Sequence, residues 1–140
     1  MKLFIDTWGW VTLFNRQEAR HQEISRYYHK FRQQRGRAYT TDYVLDETFS
    51  LLFRRLPFPI ALTTLERLEM AVSQGYLTVE WITPVRFEAA KTLRRKLQDK
   101  PLISFTDLTS MAVMAELEIS QVLTADAHFT HVGLGFQLMP

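Results

Sequence analysis

A chain of 140 residues is long enough to bury a core of its own and reads as one domain over residues 1–140. Hydrophobic residues at 46% and charged residues at 23% are ordinary globular values and exclude a disordered chain. The absence of cysteine excludes a disulfide framework and a thiolate metal site, and a formal charge of +2 does not by itself demand a nucleic-acid partner.

The apolar run from Lys2 to Ile5 predicts a short buried strand, with a turn at Asp6-Thr7 and a helix start near Trp8. Gln17 to Arg35 is polar with Ile24, Tyr27, Tyr28 and Phe31 at helical spacing, and Gly36 is the expected stop. Ala38 to Thr41 predicts a second strand, with Thr41 or Asp42 capping a helix from Tyr43 to Leu56 that Pro57 and Pro59 terminate. Ile60 to Gln74 continues as an amphipathic helix closed by Gly75. Tyr76 to Ile82 alternates like a strand, and Pro84 suits the first turn of a helix reaching Gln98. Ser104 opens a helix to about Leu117, Gln121 to Thr124 is the next strand, and Phe136 to Leu138 a short last one. Short apolar strands alternating with helices predict an α/β layer fold with a largely parallel sheet.

No targeting or membrane segment is expected. Asp6 interrupts the apolar run near Met1, and the stretch Val44 to Leu56 carries Asp46, Glu47, Arg54 and Arg55. These features lead to the expectation of a soluble cytoplasmic protein.

Asp6, Glu47, Asp107 and Asp126 each sit where an element end or helix face could aim them into one pocket. Carboxylates gathered in this way repel, so their burial together makes sense chiefly around a divalent cation. Each also has a plainer role. Asp6 could cap the following helix, and Asp107 could complete a capping box with Ser104. Asp126 could bond to local backbone in a turn. Asp46 and Glu47 lie at opposite edges of one apolar stripe, and periodicity does not choose between them.

The basic residues cluster: Arg32, Arg35 and Arg37; Arg54 and Arg55; and Lys91, Arg94, Arg95, Lys96 and Lys100. Each cluster reads either as a solvated helix face or as a nucleic-acid contact beside the acidic centre. The helix from Pro84 to Lys100, with Arg94 and Arg95, is the candidate for guiding a phosphate backbone. His128 and His131 read as surface histidines, since no third ligand lies nearby in sequence.

Four segments carry a family resemblance: Phe4-Ile5-Asp6-Thr7, Thr41 through Thr48, Ser104-Phe105-Thr106-Asp107, and Leu123 through Phe129. In this order and spacing they resemble PIN-domain ribonucleases, and together VapC-type toxins of bacterial toxin–antitoxin pairs. The resemblance spans nearly the whole chain, and in it the second acid aligns with Glu47 rather than Asp46. It implies a parallel sheet of about five strands with the acids at one end, Mg²⁺ or Mn²⁺ as cofactor, and RNA as substrate. Water attacking phosphorus in line would leave a 5′-phosphate and a 3′-hydroxyl. A cognate antitoxin protein and a homodimer are the implied partners. Thr7 and Thr124 would orient water or phosphate beside the acids. The chain departs from the pattern at Trp8-Gly9-Trp10, where a small polar residue often follows. Two roles are open to these indoles: packing on the next helix, or, for Trp8, stacking on a base or meeting the antitoxin. The competing functional class is a PIN-like module that binds RNA or protein without cutting.

Overall fold

Leu3, Phe4 and Ile5 are consecutive and fully buried in strand β1 (Lys2–Ile5), as a strand covered on both faces requires. The structure, a computed structural model, describes residues 1–140. The further strands are β2 (Arg37–Thr41), β3 (Leu77–Glu80), β4 (Gln121–Leu123) and β5 (Gln137–Met139). They form a five-stranded sheet in the order β3-β2-β1-β4-β5. Every pairing is parallel, with Phe4 opposite Tyr39 on one side and Val122 on the other. The chain therefore moves outward from β1 to β3, then crosses back to lay β4 against β1's free edge. Such a reversal leaves a crevice at the carboxyl ends of β1 and β4, where open α/β sheets bind their ligands.

Six helices flank the sheet: α1 (Thr7–Phe14), α2 (His21–Gln33), α3 (Asp42–Arg55), α4 (Phe58–Ser73), α5 (Pro84–Lys96) and α6 (Phe105–Glu116). The expected α/β architecture with an all-parallel sheet is present, and no helix is long and apolar enough to cross a membrane. Thr41, Thr83 and Ser104 cap α3, α5 and α6 by accepting from the amides of Val44, Arg86 and Asp107. Asp42 does not cap. Its carboxylate accepts from the Ile82 amide at 2.7 Å and ties the start of α3 to the chain leaving β3. The Arg86 guanidinium bridges Glu80 and Glu116, joining β3, α5 and α6.

Several boundaries differ from the sequence reading for local reasons. α2 begins at His21 rather than Gln17, because Asn15 folds the intervening residues into turns, its side chain accepting from the Gln17 amide. Pro57 and Pro59 do more than end α3: Pro57 is the N-cap of α4 and Pro59 lies in its first turn, so α4 begins at Phe58. Gly75 has the positive φ (+80°) expected after α4, but after α2 that conformation falls on Arg35 (φ 60°). Gly36 is needed for space instead, since a Cβ there would lie 2.2 Å from the Phe31 ring. α6 is buried continuously from Leu108 to Met114, so its N-terminus is held rigidly.

Gly9 marks the closest approach of α1 to the sheet. A Cβ there would stand 2.6 Å from the Leu123 carbonyl oxygen and 2.9 Å from Ile5 Cγ2. The first contact is backbone and cannot rotate away, so Gly9→Ala must lift α1 off the β1–β4 seam. Thermal denaturation of Gly9→Ala should show a loss of about 1–3 kcal/mol, typical of overpacking. A melting temperature equal to that of the wild type would show that the seam yields freely.

Candidate functional site

Asp6, Glu47, Asp107 and Asp126 line one cleft of about 540 Å³ at the carboxyl ends of β1 and β4. Thr7, Trp8, Ser104 and Thr124 contribute to the same wall. Asp6 arrives from the end of β1, Glu47 from α3, Asp107 from the first turn of α6, and Asp126 from the turn after β4.

Asp6 is in the N-cap position of α1, but its side chain makes no cap bond. It is 6% exposed and accepts from the Thr124 hydroxyl at 2.9 Å. Thr124 in turn accepts from the Asp126 amide at 3.1 Å, so one hydroxyl couples the two acids across the strand seam. The seam is held from the other side as well. Trp10 Nε1 donates to Thr40 Oγ1 at 3.1 Å, and that hydroxyl donates to the Ile5 carbonyl at 3.0 Å. Trp10 is thus a buried core residue stacked on Phe14. Trp8 is half-buried on the cleft wall, with the Arg20 guanidinium 5.1 Å from its ring centre.

The capping box at α6 is only half formed. Ser104 Oγ accepts from the Asp107 amide at 3.1 Å, whereas Asp107 does not return a bond to the Ser104 amide. The Asp107 carboxyl faces the cleft, with an oxygen within 4.8 Å of one of Asp126. Glu47 is exposed at the cleft edge; Asp46, one residue earlier, lies outside it. Asp126 combines two roles left as alternatives by sequence. It lines the cleft, and its Oδ1 accepts from the His128 amide at 2.9 Å to start a 3₁₀ turn (Ala127–Thr130).

That turn brings His128, read from sequence as a surface histidine, beside the acids while its side chain stays partly exposed. His128 Nδ1 lies 3.1 Å from Asp126 Oδ1. Ligand atoms of Asp107, Asp126 and His128 all fall within 4.8 Å of one another. Sequence could not reveal the third partner, because Asp107 comes from a different element. His131, by comparison, is exposed.

Arg94 is also placed differently from its proposed guiding role. Its guanidinium donates to the carbonyls of Leu97, Lys100 and Ile103 at 2.7–2.9 Å and so clamps the loop between α5 and α6. Arg95 is exposed, and neither residue lines the cleft.

Burial pushes the Asp6 carboxyl up to about 6, with Glu47 and Asp126 adding repulsion and the Thr7 amide and Thr124 hydroxyl opposing it. Asp107 is raised as well, first by burial and then by the charges of Asp6 and Asp126. Asp6 and Asp107 therefore resist ionisation unless positive charge is supplied.

A match to the PIN domain covers residues 3–134, and the chain belongs to that family. Among solved structures it is similar to VapC20 of Mycobacterium tuberculosis, described as a sarcin-ricin loop cleaving toxin. The TM-score is 0.78 and the identity 28%, covering 94% of this chain and 95% of that one. It shares its fold with a chain of VapBC2 from Rickettsia felis, solved bound to a DNA fragment from its promoter. There the TM-score is 0.71 and the identity 14%, covering 97% of this chain and 96% of that one. A comparison with curated proteins gives no significant match.

The raised Asp6 pKa has a consequence for the metal-free protein. Asp6 titrates at about 6 folded and near 3.8 unfolded, so its protonated form favours the fold. That stability is complete below the unfolded value and is lost as pH rises through about 6. The shift corresponds to at most about 3 kcal/mol. Asp6→Asn should therefore melt several degrees higher than the wild type at pH 7.5 in EDTA, with the gap closing toward pH 4. A gap independent of pH would mean that Asp6 is not under this strain.

Proposed function

We propose that this protein is the nuclease toxin of a toxin–antitoxin pair, an endoribonuclease that hydrolyses RNA phosphodiester bonds with Mg²⁺ or Mn²⁺. The observation that carries the reading is the convergence of Asp6, Glu47, Asp107 and Asp126 on one cleft from four separate elements. In the proposal these four acids are the metal ligands. The donor set fits a hard divalent cation, since it consists of carboxylate oxygens. Two of these groups are pushed toward protonation, first by burial and then by the charge of the neighbouring acids. The Thr7 hydroxyl, buried at the cleft and without a hydrogen-bond partner, fits a site whose remaining contacts come from an ion's water shell or a phosphate.

Such an ion, when bound, neutralises charge on the scissile phosphate and makes water a competent nucleophile near neutral pH. The chain's own residues supply the placement. Thr124 fixes one Asp6 oxygen by donating to it, leaving the other free to ligate. The 3₁₀ turn after Asp126 fixes that carboxylate through the His128 amide. Ser104 holds the first turn of α6 and thereby sets the position of Asp107. Thr7 and Thr124 are the hydroxyls placed to orient water or phosphate.

The partners proposed are an RNA substrate, a cognate antitoxin and a second copy of the chain, with the cytoplasm as the working compartment. The likeness to VapC20 supports the RNA-cutting reading, and that to VapBC2 supports an antitoxin. A protein contact also has a face to use. Phe49 packs on the core, but α4 exposes Phe58 (65%), Ile60 (50%) and Met70 (59%).

Purified protein should cut total cellular RNA into discrete products in Mn²⁺, and EDTA should abolish the cleavage. Asp6→Asn and Asp107→Asn should each lose more than the roughly 10- to 100-fold typical of residues behind the ligands. Thr124→Val, which removes the bond to Asp6 and the one from the Asp126 amide, should fall within that range and weaken Mn²⁺ binding by calorimetry. Well-folded protein that binds RNA but never cuts it would instead support a binding module.

A further inference from the structure

We propose that Arg55 is the phosphate-binding side chain of the acidic cleft, and that the RNA strand runs across it into a groove carrying Arg16 and Arg67. This inference rests on the ribonuclease reading and names the path of its substrate.

Glu47, Leu51 and Arg55 are spaced four residues apart on α3, and all three line the cleft. That spacing puts them on one stripe of the helix. The cleft holds five acids, Asp6, Glu18, Glu47, Asp107 and Asp126, and Arg55 is its only basic side chain. Arg55 has little to occupy it. Its one ionic neighbour is Glu18, at 3.9 Å, with the two side chains 50% and 34% exposed. A pair so long and so wet contributes almost nothing and exchanges readily for a better anion. A guanidinium matches phosphate oxygens bidentately, which neither a lysine nor a hydroxyl can do.

Arg55 also borders a second, larger hollow of about 860 Å³ between α1, α2, α3 and α4. That groove carries Arg16, His21 and Arg67, and no acid lines it. The side chains of Arg16 and Arg67 form no ion pair and no hydrogen bond, a freedom shared outside the groove by Arg54 and Arg95, whereas Arg20, Arg86, Lys91 and Lys100 are each held by a neighbouring carboxylate. Free cations therefore line the groove up to the edge of the acids and change to carboxylates only inside the cleft. A polyanion with one phosphate at the acids is repelled by them everywhere else, so its flanking phosphates must lie where the field is positive. Arg55 is where the two fields meet.

The test uses the full-length protein and a fluorescently labelled single-stranded RNA oligonucleotide. Binding is measured by anisotropy over a salt series, in the Asp6→Asn background with Mn²⁺ so that the RNA stays intact. Arg55→Ala, Arg16→Ala and Arg67→Ala should each reduce the salt slope by about 0.7, the value for one phosphate contact on a single strand. Arg95→Gln, on α5 and outside both hollows, should leave it unchanged. In the otherwise wild-type enzyme, Arg55→Ala should reduce kcat/KM at least tenfold while its Mn²⁺ affinity by calorimetry stays the same. Arg55→Lys should restore the salt slope but not the full rate. Unchanged slopes in all three alanine variants, with RNA still cut by the wild type, would overturn this path and leave the ribonuclease reading standing. Loss of slope in Arg95→Gln alone would move the path to α5 and overturn it equally. Loss of capture of a co-expressed protein partner with RNA binding intact would give the groove to that partner. Wild-type protein that neither cuts nor binds RNA would remove both readings together.

Discussion

Carboxylates held within reach of one another repel, and this fold keeps Asp6, Asp107 and Asp126 together against that repulsion. The restraint is mechanical. β1 and β4 are locked side by side in the middle of the sheet, and α6 is buried along most of its length. Gly9 lets α1 sit directly on the Leu123 backbone. None of these elements can move away to relieve the charge. What remains is protonation of the acids or positive charge brought between them, so the same packing that makes the core also places the acids under strain.

Hydroxyl groups convert that packing into orientation. Thr124 joins Asp6 to the Asp126 backbone, Thr40 joins Trp10 to the Ile5 carbonyl, and Ser104 secures the turn that carries Asp107. Each sits at a strand end or helix start, where free backbone and side-chain groups meet. The cleft is thereby rigid in its donors while its edge, with Glu47 and Trp8, stays open to solvent. The ion and substrate exchange proposed for the cleft would need both properties.

The cations divide by partner. Arg86 and Arg94 are held within the fold, one by two carboxylates and one by three carbonyls, and contribute to structure. Arg16, Arg55 and Arg67 have no such obligation and face open grooves. Clustering along the sequence pointed to α5 as the phosphate guide; there Arg94 is bonded within the fold, while Arg95 is exposed and unpaired but lines neither hollow.

Hydrophobic periodicity, caps and breakers were enough to place all five strands and six helices to within a few residues, because these signals act over a turn or a strand length. The four ordered acidic segments were legible for the same reason: each is local, and the family match extends over residues 3–134. Sequence could not say that Gly36 makes room for a ring while Arg35 takes the left-handed turn, since that depends on where Phe31 packs. Nor could it show that Asp6 bonds Thr124 rather than its own helix, that His128 closes on Asp107 and Asp126, or that Arg55 stands alone among acids. The chain determined the elements and the identities of the acids. Only the tertiary structure decided which side chains meet, because those meetings join residues up to 118 positions apart, a separation closed by the strand order of the sheet.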